Sequence, residues 1–355
     1  MYLIYNNILY TFIEKHLLNK GGWQLLKTFL FYVTYILMIQ IYKTFEETNT
    51  TLELLDHIEK DSWINIVAPS DEELLLVSKK TNIPIDFLRA PLDDEETSRI
   101  DIEDNNIIVI VDIPFTEMED NSLTYDTYPL AIIHTDDHIV TVCLKNSKIL
   151  TDFVSGKIKS FFTFKKSRFI LQILNRISTY YLLYLRHIDK KSLMIEKRLH
   201  RSMKNRELIQ LHSLEKSLVY FSTSLKANEA TLEKMLKLSI MQKYEDDKDV
   251  LEDVIIENKQ AIEMTEIYSN ILSSTMDFFA SVISNNLNIV MKILASLTVL
   301  MSIPTIISGM YGMNIPLPMD ENFASNPLPF IIIIVLTFGI CGIVAICLYK
   351  KGMFK

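Results

Sequence analysis

The feature that most constrains this chain is a pair of uncharged apolar runs near its C-terminal end. The second run, Phe330 to Leu348, contains nineteen residues without a charge, and the first, Ile293 to Met310, is nearly as long. A helix needs about 20 apolar residues to cross the roughly 30 Å hydrocarbon layer of a bilayer. The two runs and the short connection between them therefore predict a two-helix membrane hairpin, with spans at about 291–311 and 329–349.

The remainder of the chain has the composition of a soluble protein. Charged residues make up 23% of the sequence, although its mean hydropathy is positive at +0.18. This mixture predicts a large soluble part attached to a small membrane part, with membrane lipid as one partner. The formal net charge of −8 argues against nucleic acid as a partner, which would require a basic face, and suits a protein that handles cations.

The three cysteines form neither a disulfide framework nor a zinc site. Cys143 lies in a predicted strand, whereas Cys341 and Cys347 lie in the second apolar run. None of them has the Cys-x-x-Cys or histidine-paired spacing of a zinc site. We therefore expect all three to be small, buried hydrophobic residues.

Residues 1–37 are apolar but do not match a standard targeting segment. The uncharged run Thr28 to Tyr42 has only fifteen residues, which is short for a span, and the region lacks the small-residue cleavage site of a signal peptide. Three interpretations stay open for residues 1–37: an upstream extension with little function, an interfacial helix, or a third span.

Residues 38–155 have the mixed pattern of an α/β domain. Strand-like runs rich in Ile and Val are bounded by turn-forming residues, and they are Ile39–Thr44, Trp63–Ala68, Ile107–Ile113, Leu130–His134 and Ile139–Leu144. The pattern also predicts helices over Asp71–Thr81, after a Pro-Ser-Asp start signal, and over Ile85–Arg89.

Residues 157–303 contain neither Gly nor Pro, the two strongest helix breakers. Their absence predicts a long helical stalk over residues 156–290. The segment Gln242–Asp249 is the most polar part and the expected turn, with two antiparallel helices before it and one very long helix after it. We expect that last helix to run from about Val250 into the membrane.

One face of this last helix is polar or small along its length. The residues of this face, the polar stripe, recur at steps of three, four or seven, and they are Glu263, Asn270, Ser274, Asp277, Ser281, Ser284, Asn288, Met291, Ala295, Thr298, Ser302, Thr305, Gly309 and Gly312. Small residues also mark helix packing in membranes, and Thr298 and Ser302 alone would fit that interpretation. The continuation of the stripe as Asn and Asp outside the span favours a water-filled path lined by several copies of the helix.

Charge asymmetry predicts the orientation of the hairpin. The C-terminal tail carries Lys350, Lys351 and Lys355, whereas the connection from Met310 to Pro329 has two acids and neither Lys nor Arg. By the positive-inside rule the tail is cytoplasmic and the connection lies outside. The N-terminal domain is then cytoplasmic too, and we expect a multi-pass protein of the plasma membrane.

The tetrapeptide Tyr311-Gly312-Met313-Asn314, at the outer end of the first span, resembles the signature of CorA-type magnesium transporters. Pro304-Thr305 with Gly309, the segment Asn288 to Leu294 and the basic tail extend the resemblance. It implies an α+β cytoplasmic domain followed by long α-helices and a two-helix transmembrane hairpin (residues 291–355), assembled as a funnel-shaped homopentamer.

The resemblance also implies a selectivity filter at the outer mouth of the pore, formed by Gly312, Met313 and Asn314. Asn314 would contact hydrated Mg²⁺, which gives up its waters reluctantly and usually keeps several. A ring of carbonyl oxygens can hydrogen-bond this water shell without removing it, and Gly312 would let the backbone turn close to the axis.

The pore below the filter would be lined by one residue per helical turn from each copy. The predicted lining residues are Asp277, Asn288, Met291, Leu294, Ala295, Thr298, Ser302, Thr305 and Gly309. By resemblance, Met291 and Leu294 form an apolar constriction that gates by dewetting. The family often has a bulky apolar residue where this chain has Ser302, which predicts a wider pore at that level.

Acidic residues of the long helix suggest a regulatory metal site. Asp253 and Asp277 match acidic positions of the family, and Asp253 would bind Mg²⁺ between subunits together with acids of a neighbour. The usual partner motif, Leu-Glu-Asp, is replaced here by the segment Leu88 to Glu96, in which Asp93 and Asp94 are the nearest candidates. A solvated acidic face is the alternative for both clusters.

The resemblance implies a channel that imports Mg²⁺, with Co²⁺ and Ni²⁺ as further ions, down the membrane potential. Mg²⁺ would be both the transported and the regulatory ion, since cytosolic Mg²⁺ bound between subunits would close the channel. We expect no nucleotide, because the chain has no Walker loop and no Gly-x-Gly-x-x-Gly. Two alternatives stay open: a Zn²⁺ transporter of the same fold, and a membrane-anchored helical scaffold or sensor that does not conduct.

No Ser, Cys or His arrangement in the sequence indicates nucleophilic catalysis, so we do not expect an enzyme. The segment His134-Thr135-Asp136-Asp137-His138 could be interpreted as a metal site. Its strand-like neighbours favour instead a hairpin turn with Asp at the tip.

Overall fold

The computed structural model describes residues 39–45, 52–103, 105–119, 122–158, 160–202, 205–238, 245–313 and 328–354. The chain forms two compact units, of which the first ends at Ser273 and the second begins at Ser274. The apolar segment 1–37 and the predicted filter residue Asn314 lie outside the described residues.

Strands of the first unit form one seven-stranded sheet. They are β1 (Ile39–Thr44), β2 (Leu52–Leu55), β3 (Trp63–Val67), β4 (Arg99–Glu103), β5 (Asn106–Glu119), β6 (Ser122–His134) and β7 (Ile139–Cys143). Their order is β2-β1-β3-β7-β6-β5-β4, in which β3 and β7 pair in parallel and the other neighbours are antiparallel. Five of these strands confirm predicted runs; β2 and β4, at the two edges, were not predicted.

One face of the sheet packs against two helices, α1 (Asp71–Thr81) and α2 (Ile85–Arg89), whose bounds confirm the prediction. Ser70 caps α1 through a capping box, because its hydroxyl accepts from Glu73 N while its own N–H donates to the Glu73 carboxylate at 2.7 Å. The apolar core of this face includes Ile64, Ile66, Leu74, Val77, Leu88, Ile108, Ile133 and Val142.

The opposite face of the sheet is centred on Trp63, which is fully buried. Phe153 of α3 (Lys148–Val154) and Phe169 of α4 (Lys166–Ser202) lie against its ring, with centroid distances of 6.4 and 5.2 Å. The indole N–H donates to Thr141 Oγ1 at 2.8 Å, which satisfies the one polar group of the side chain. Helix α3 was not predicted from the sequence.

The hairpin of β5 and β6 packs on α4 and on α5 (Asn205–Met235). Asn228 of α5 is 2% exposed, and its amide pairs with the backbone of Asp112 as a neighbouring strand would. Asp112 N donates to Asn228 Oδ1 and Asn228 Nδ2 donates to Asp112 O, both at 2.8 Å. This reciprocal pair holds the hairpin against the helix.

Helix α6 (Glu245–Tyr311) follows α5 and is 67 residues long, as the prediction of one very long helix required. The predicted turn over Gln242–Asp249 is partly wrong, because residues 245–249 are already helical; residues 239–244 lie outside the description. Two causes favour the earlier start. Acidic residues are stabilised in the first turn by the helix dipole, and Asp247 accepts a hydrogen bond from Arg168 of α4 at 3.1 Å.

The second unit contains the remainder of α6 and helix α7 (Leu328–Lys350). By length and composition, two helices of the described residues could cross a membrane, Asp247–Tyr311 and Phe330–Lys350. The apolar runs predicted as spans lie within these two helices.

Candidate ion pathway

The polar stripe begins on the exposed face of α6. In the first unit this helix buries one face, which includes Val254, Ala261 and Leu272. Glu263 follows Ala261 by two positions, and two positions are about 200° around a helix. Glu263 and Asn270 are accordingly exposed, on the side of α6 away from the core.

In the second unit, one face of α6 and one face of α7 are covered. The half-buried or buried positions of α6 between 289 and 307 include Ile289, Ser296, Leu300, Ile303 and Ile307, and those of α7 include Ile333, Thr337, Cys341, Val344 and Leu348. Both sets recur every three, four or seven residues, as one face of a helix does.

The stripe occupies the side of α6 opposite to this covered face. Each of these five positions of α6 is followed two residues later by a stripe residue, and those residues are Met291, Thr298, Ser302, Thr305 and Gly309. All five are exposed. Because two residues correspond to about 200° around a helix, the stripe faces away from α7 through five successive turns.

Three hydroxyls of the stripe have their protons directed into their own helix. Thr298 Oγ1 donates to Leu294 O at 2.9 Å, Ser302 Oγ donates to Val299 O at 2.8 Å and Thr305 Oγ1 donates to Met301 O at 2.9 Å. A hydroxyl whose proton is engaged in this way keeps its lone pairs for outside donors. The stripe therefore presents acceptors, which suit the water protons around a hydrated cation.

Pro304 leaves one carbonyl of α6 without its helical donor. A proline has no N–H, so the carbonyl four residues earlier, Leu300 O, loses its usual partner. The thiol of Cys341 on α7 approaches that oxygen, with an Sγ to O distance of 3.9 Å. This contact places Leu300 level with Cys341 in the register of the two helices.

The expected filter lies at the end of α6 and is partly described. Gly312 N donates to Ser308 O at 3.0 Å, and Gly312 and Met313 are exposed. A Cβ added at Gly309 would meet nothing within 4 Å, and one at Gly312 would meet Ser308 O at 3.4 Å and Gly309 O at 3.7 Å, both at ordinary contact distances. Within one chain, therefore, neither glycine is required by crowding.

A sequence model of one protein family, described as CorA-like Mg²⁺ transporter protein, matches residues 59–350. The chain belongs to the CorA family. Members of this family are membrane transporters and not enzymes. The assignment therefore confirms the resemblance to CorA-type transporters and the expectation that the chain is not an enzyme. The shared fold is a soluble α/β domain, long helices and two C-terminal apolar helices.

Individual relatives agree with the CorA assignment. The cobalt/magnesium transport protein CorA of Methanocaldococcus jannaschii is 28% identical over 300 residues, which cover 82% of this chain and 90% of that protein. The solved structure of the CorA magnesium transporter from the same organism superposes with a TM-score of 0.71 at 25% identity, covering 87% of this chain and 96% of that one.

A more distant structure shares the fold alone. The ZntB cytoplasmic domain from Vibrio parahaemolyticus has a TM-score of 0.54 at 12% identity, over 70% of this chain and 98% of that one. At this identity the similarity describes architecture and not the transported ion.

The acids predicted to form the CorA-type regulatory site are not brought together within one chain. Asp253 is exposed on α6, and burial together with the charge of Asp253 raises the pKa of Glu257, one turn further along. Asp93 and Asp94 are exposed after α2, where Asp93 Oδ1 accepts from Glu95 N at 3.0 Å. Among the described residues, no group of three or more His, Cys, Asp or Glu side chains could hold a metal.

The segment His134 to His138 is a hairpin turn between β6 and β7, as the strand pattern favoured. Thr135 N donates to His138 O at 3.0 Å and His138 N donates to Thr135 Oγ1 at 2.8 Å, which leaves Asp136 and Asp137 exposed at the tip. Burial lowers the pKa of His134 to about 4, so this side chain is neutral at physiological pH.

The expectation that all three cysteines are buried is partly wrong. Cys143 is buried as expected, but Cys341 is half-buried and Cys347 is exposed. The role of Cys341 as a donor to Leu300 O was missed. The sequence contained one usable signal, since Pro304 within a span leaves a carbonyl that requires a donor from a neighbouring helix.

Proposed function

We propose that this chain is the pore-forming subunit of a homopentameric channel that imports Mg²⁺, with Co²⁺ and Ni²⁺ as further permeant ions. The observation that carries the proposal is the polar stripe, which is exposed on the side of α6 opposite to the face covered by α7. A polar or small face that crosses the hydrocarbon layer must be hidden from lipid. Several copies arranged around an axis hide it and enclose a path for water.

The chemistry of the stripe suits an ion that travels with its water shell. Mg²⁺ dehydrates reluctantly, so a pathway for it must accept hydrogen bonds from coordinated water rather than replace that water. Thr298, Ser302 and Thr305 present such acceptors, since their protons are engaged within the helix. In the proposed pore Asp277 and Asn288 continue this lining below the span, with Met291 and Leu294 as the dewetting constriction.

Selection takes place at Gly312, Met313 and Asn314 in this proposal. The Asn314 amide carbonyl from each copy accepts from the hydrated ion at the outer mouth. A neutral ring binds the ion less tightly than carboxylates would and permits faster release. The glycines at 309 and 312 leave room for another copy, because a Cβ at either position would meet no described atom closer than an ordinary contact distance of 3.4 Å.

The membrane potential drives the ion inward. A charge crossing 100 mV gains about 2.3 kcal/mol, and a divalent ion gains roughly twice as much. The proposed orientation puts the first unit and the C-terminal tail on the cytoplasmic side of the plasma membrane, in agreement with Lys350 and Lys351 at the end of α7.

We further propose that cytosolic Mg²⁺ closes the channel. At high concentration the ion bridges Asp253 of one copy to acids of a neighbour, with Asp93 and Asp94 as its candidates. When the concentration falls, repulsion between the released carboxylates favours the open state. The exposure of all three side chains in a single chain leaves them accessible to such a bridge.

The decisive experiment is metal-resolved uptake into liposomes that contain the full chain. We expect Mg²⁺ to enter when the interior is negative, and Asn314→Ala to reduce entry at least tenfold while the protein remains folded in the membrane. Uptake of Zn²⁺ in preference to Mg²⁺ would replace the proposed ion. Absence of any metal flux would favour a non-conducting scaffold or sensor.

A pair of matched substitutions tests the stripe itself. Thr305→Val and Thr337→Val remove the same hydroxyl, and each hydroxyl donates to a carbonyl four residues earlier, at 2.9 and 2.7 Å. Thr305 belongs to the stripe, whereas Thr337 lies on the covered face of α7. We expect only Thr305→Val to slow Mg²⁺ uptake, by about three- to tenfold, through loss of an acceptor for the water shell. Equal effects of the two variants would contradict a pore lined by the stripe.

The gating proposal is tested by loading the liposomes with Mg²⁺ before uptake is measured. Internal Mg²⁺ should suppress uptake by the unmodified chain and should suppress uptake by Asp253→Asn much less. Asp249→Asn, an exposed acid one turn earlier on the same helix, is the matched control. Flux that is indifferent to internal Mg²⁺ in the unmodified chain would rule out this gating.

A further inference from the structure

We propose that Lys292, Lys350 and Lys351 form one binding surface for the phosphate groups of anionic phospholipids in the leaflet at the inner end of the hairpin. We call these three residues the lysine collar. The inference rests on the membrane insertion of α6 and α7 in the proposed function, but it concerns lipid selection and not ion conduction.

The register between the two helices places the three lysines at one depth. Leu300 lies level with Cys341, because the Cys341 thiol contacts the Leu300 carbonyl. Lys292 precedes Leu300 by eight residues, or about 12 Å of helix, and Lys350 follows Cys341 by nine residues, or about 13.5 Å. Two spans joined by a short polar connection cross in opposite directions, since that connection cannot recross the hydrocarbon. Both displacements therefore point to the same side of the membrane.

These lysines are the charged residues of the membrane hairpin as the structure describes it, residues 278–313 and 328–354. Between residues 278 and 313 and between residues 328 and 354, the sequence contains no other Asp, Glu, Lys or Arg. Lys292 and Tyr311 are nineteen residues apart on α6, about 28 Å of helix, which is close to the roughly 30 Å thickness of the hydrocarbon layer. If Tyr311 lies at one boundary of the layer, Lys292 lies at the other, at the depth of the headgroups.

The end of α7 presents its two lysines outward. A Schellman motif ends the helix, in which Gly352 has φ +70° and Met353 N donates to Leu348 O at 3.1 Å. The chain turns back at Gly352, so that Met353 is half-buried while Lys350 and Lys351 remain exposed.

The helix dipole does not account for the whole collar. Lysine is favoured in the last turn of any helix, which would be sufficient for Lys350 and Lys351. Lys292, however, lies in the middle of α6 between apolar residues and is exposed. The helix dipole therefore does not explain Lys292, and the lipid phosphates at that depth offer it a counter-charge. An ammonium group also donates up to three hydrogen bonds to phosphate oxygens.

The test measures which lipids surround the full chain in reconstituted membranes. Spin-labelled phosphatidylglycerol and phosphatidylcholine are compared for their relative association with the protein, at low and at high salt. We expect the unmodified chain to prefer phosphatidylglycerol at low salt. The triple variant Lys292→Gln, Lys350→Gln, Lys351→Gln should lose about fivefold or more of this preference, where fivefold corresponds to about 1 kcal/mol, the typical contribution of one lysine near an anionic surface.

The matched control removes three exposed lysines of the first unit, as Lys79→Gln, Lys80→Gln, Lys148→Gln, and should keep the preference. An unmodified chain without preference, or a collar variant that keeps it, would overturn the proposal. Mg²⁺ uptake measured in pure phosphatidylcholine separates the two proposals. Uptake without lipid preference refutes the collar alone, whereas a collar-dependent preference without uptake refutes the channel alone.

Discussion

In the first unit Trp63, Phe169 and Tyr181 are fully buried, whereas in the second unit Phe330 and Phe338 are 57% and 74% exposed. Both units contain many large apolar residues, but among the described residues only the first surrounds them with its own chain. The second unit consists of two helices, and each has one covered face. The rest of their apolar surface is left to be covered by lipid or by another copy. The described residues of one chain therefore provide the contacts that bury the apolar side chains of the first unit, but only part of those that would bury the second.

Charged groups follow the same division. In the first unit the carboxylate of Asp152 is 2% exposed, and it accepts hydrogen bonds from Lys157 at 2.7 Å, from Arg176 at 2.5 Å and from Tyr180 at 2.8 Å. In residues 278–313 and 328–354 the charges lie at one end, where the bilayer surface can neutralise them. The buried carboxylate of Asp152 thus has its partners within the first unit, whereas the lysines of the second unit depend on its surroundings.

The largest expected effect comes from the same substitution made in both units. Phe169→Ala should lower the free energy of unfolding by about 3–5 kcal/mol, because it leaves a cavity beside Trp63. Phe338→Ala should change it by less than about 0.5 kcal/mol, since that side chain contacts lipid in both the folded and the separated helices. Denaturant unfolding of the full chain in detergent micelles measures both, with tryptophan fluorescence as the signal for Phe169→Ala and loss of helical circular dichroism as the signal for Phe338→Ala.

The two phenylalanine variants can directly contradict this contrast between the units. Similar losses for the two variants would mean that Phe338 is buried against another protein surface, and the second unit would then have an interior of its own. A small loss for Phe169→Ala would mean that the aromatic cluster around Trp63 can collapse onto the vacated space.

A smaller effect is expected for Asp152→Asn, which should cost about 2–3 kcal/mol because a buried acceptor loses its charge beneath three donors. Asp137→Asn is the control, since it breaks only an exposed ion pair with Lys60 at 3.3 Å and should cost less than about 1 kcal/mol. Thermal unfolding of the full chain gives both values.

The pH dependence of Asp152 follows from its surroundings. Burial alone would raise the pKa of this carboxyl, but the hydrogen bonds from Lys157, Arg176 and Tyr180 outweigh it and lower the pKa below the ordinary value. Its stabilisation is therefore present above the ordinary pKa of about 4 and is lost as the pH falls through the lower folded value. The stability of Asp152→Asn should not show this decrease at low pH. A decrease equal to that of the unmodified chain would contradict the assignment.

Asp112 should show the opposite pH dependence and a somewhat smaller effect. Burial raises its pKa to about 6, against a hydrogen bond from Ser224 that lowers it. The folded state therefore favours the protonated form, and stability should fall as the pH rises from about 4 to about 6, by up to about 2 kcal/mol. Asp112→Asn should remove this fall and be more stable than the unmodified chain at pH 7. Titration of unfolding between pH 4 and 8 measures it, with Asp126→Asn on the facing strand as the control.

Much of the first unit was predictable because its element ends have local signals. The ends of α1 could be located because Ser70 and Glu73 form a capping box and Asn82 takes the left-handed conformation after the last turn. Strands β2 and β4 lack such signals: they are edge strands of four and five residues, and their side chains are mostly half-exposed. Helix α3, with seven residues, is too short to display a helical period.

The candidate site was predictable where it depends on one helix and not where it depends on two. The polar stripe follows from the period of α6 alone, so every stripe residue could be named from the sequence. The link from Cys341 to Leu300 depends on the register of α7 against α6, which no pattern within either helix encodes. The partner proposed for Asp253 was still less predictable, since the described residues of one chain contain no group of acids that could hold a metal with it.

The smallest expected effect tests the contact that sets this register. Cys341→Ala removes the thiol that approaches Leu300 O at 3.9 Å, whereas Cys347→Ala, on the same helix, removes an exposed thiol. Polar contacts between membrane helices average about 0.6 kcal/mol, and a thiol is a weak donor, so we expect Cys341→Ala to cost at most about that much and Cys347→Ala to be neutral. Cys341→Ser should restore the loss, because a hydroxyl donates to the same carbonyl more strongly. Thermal stability in micelles compares the three variants, and equal values for Cys341→Ala and Cys347→Ala would mean that packing of the covered faces, without the bond to the carbonyl freed by Pro304, holds the hairpin in register.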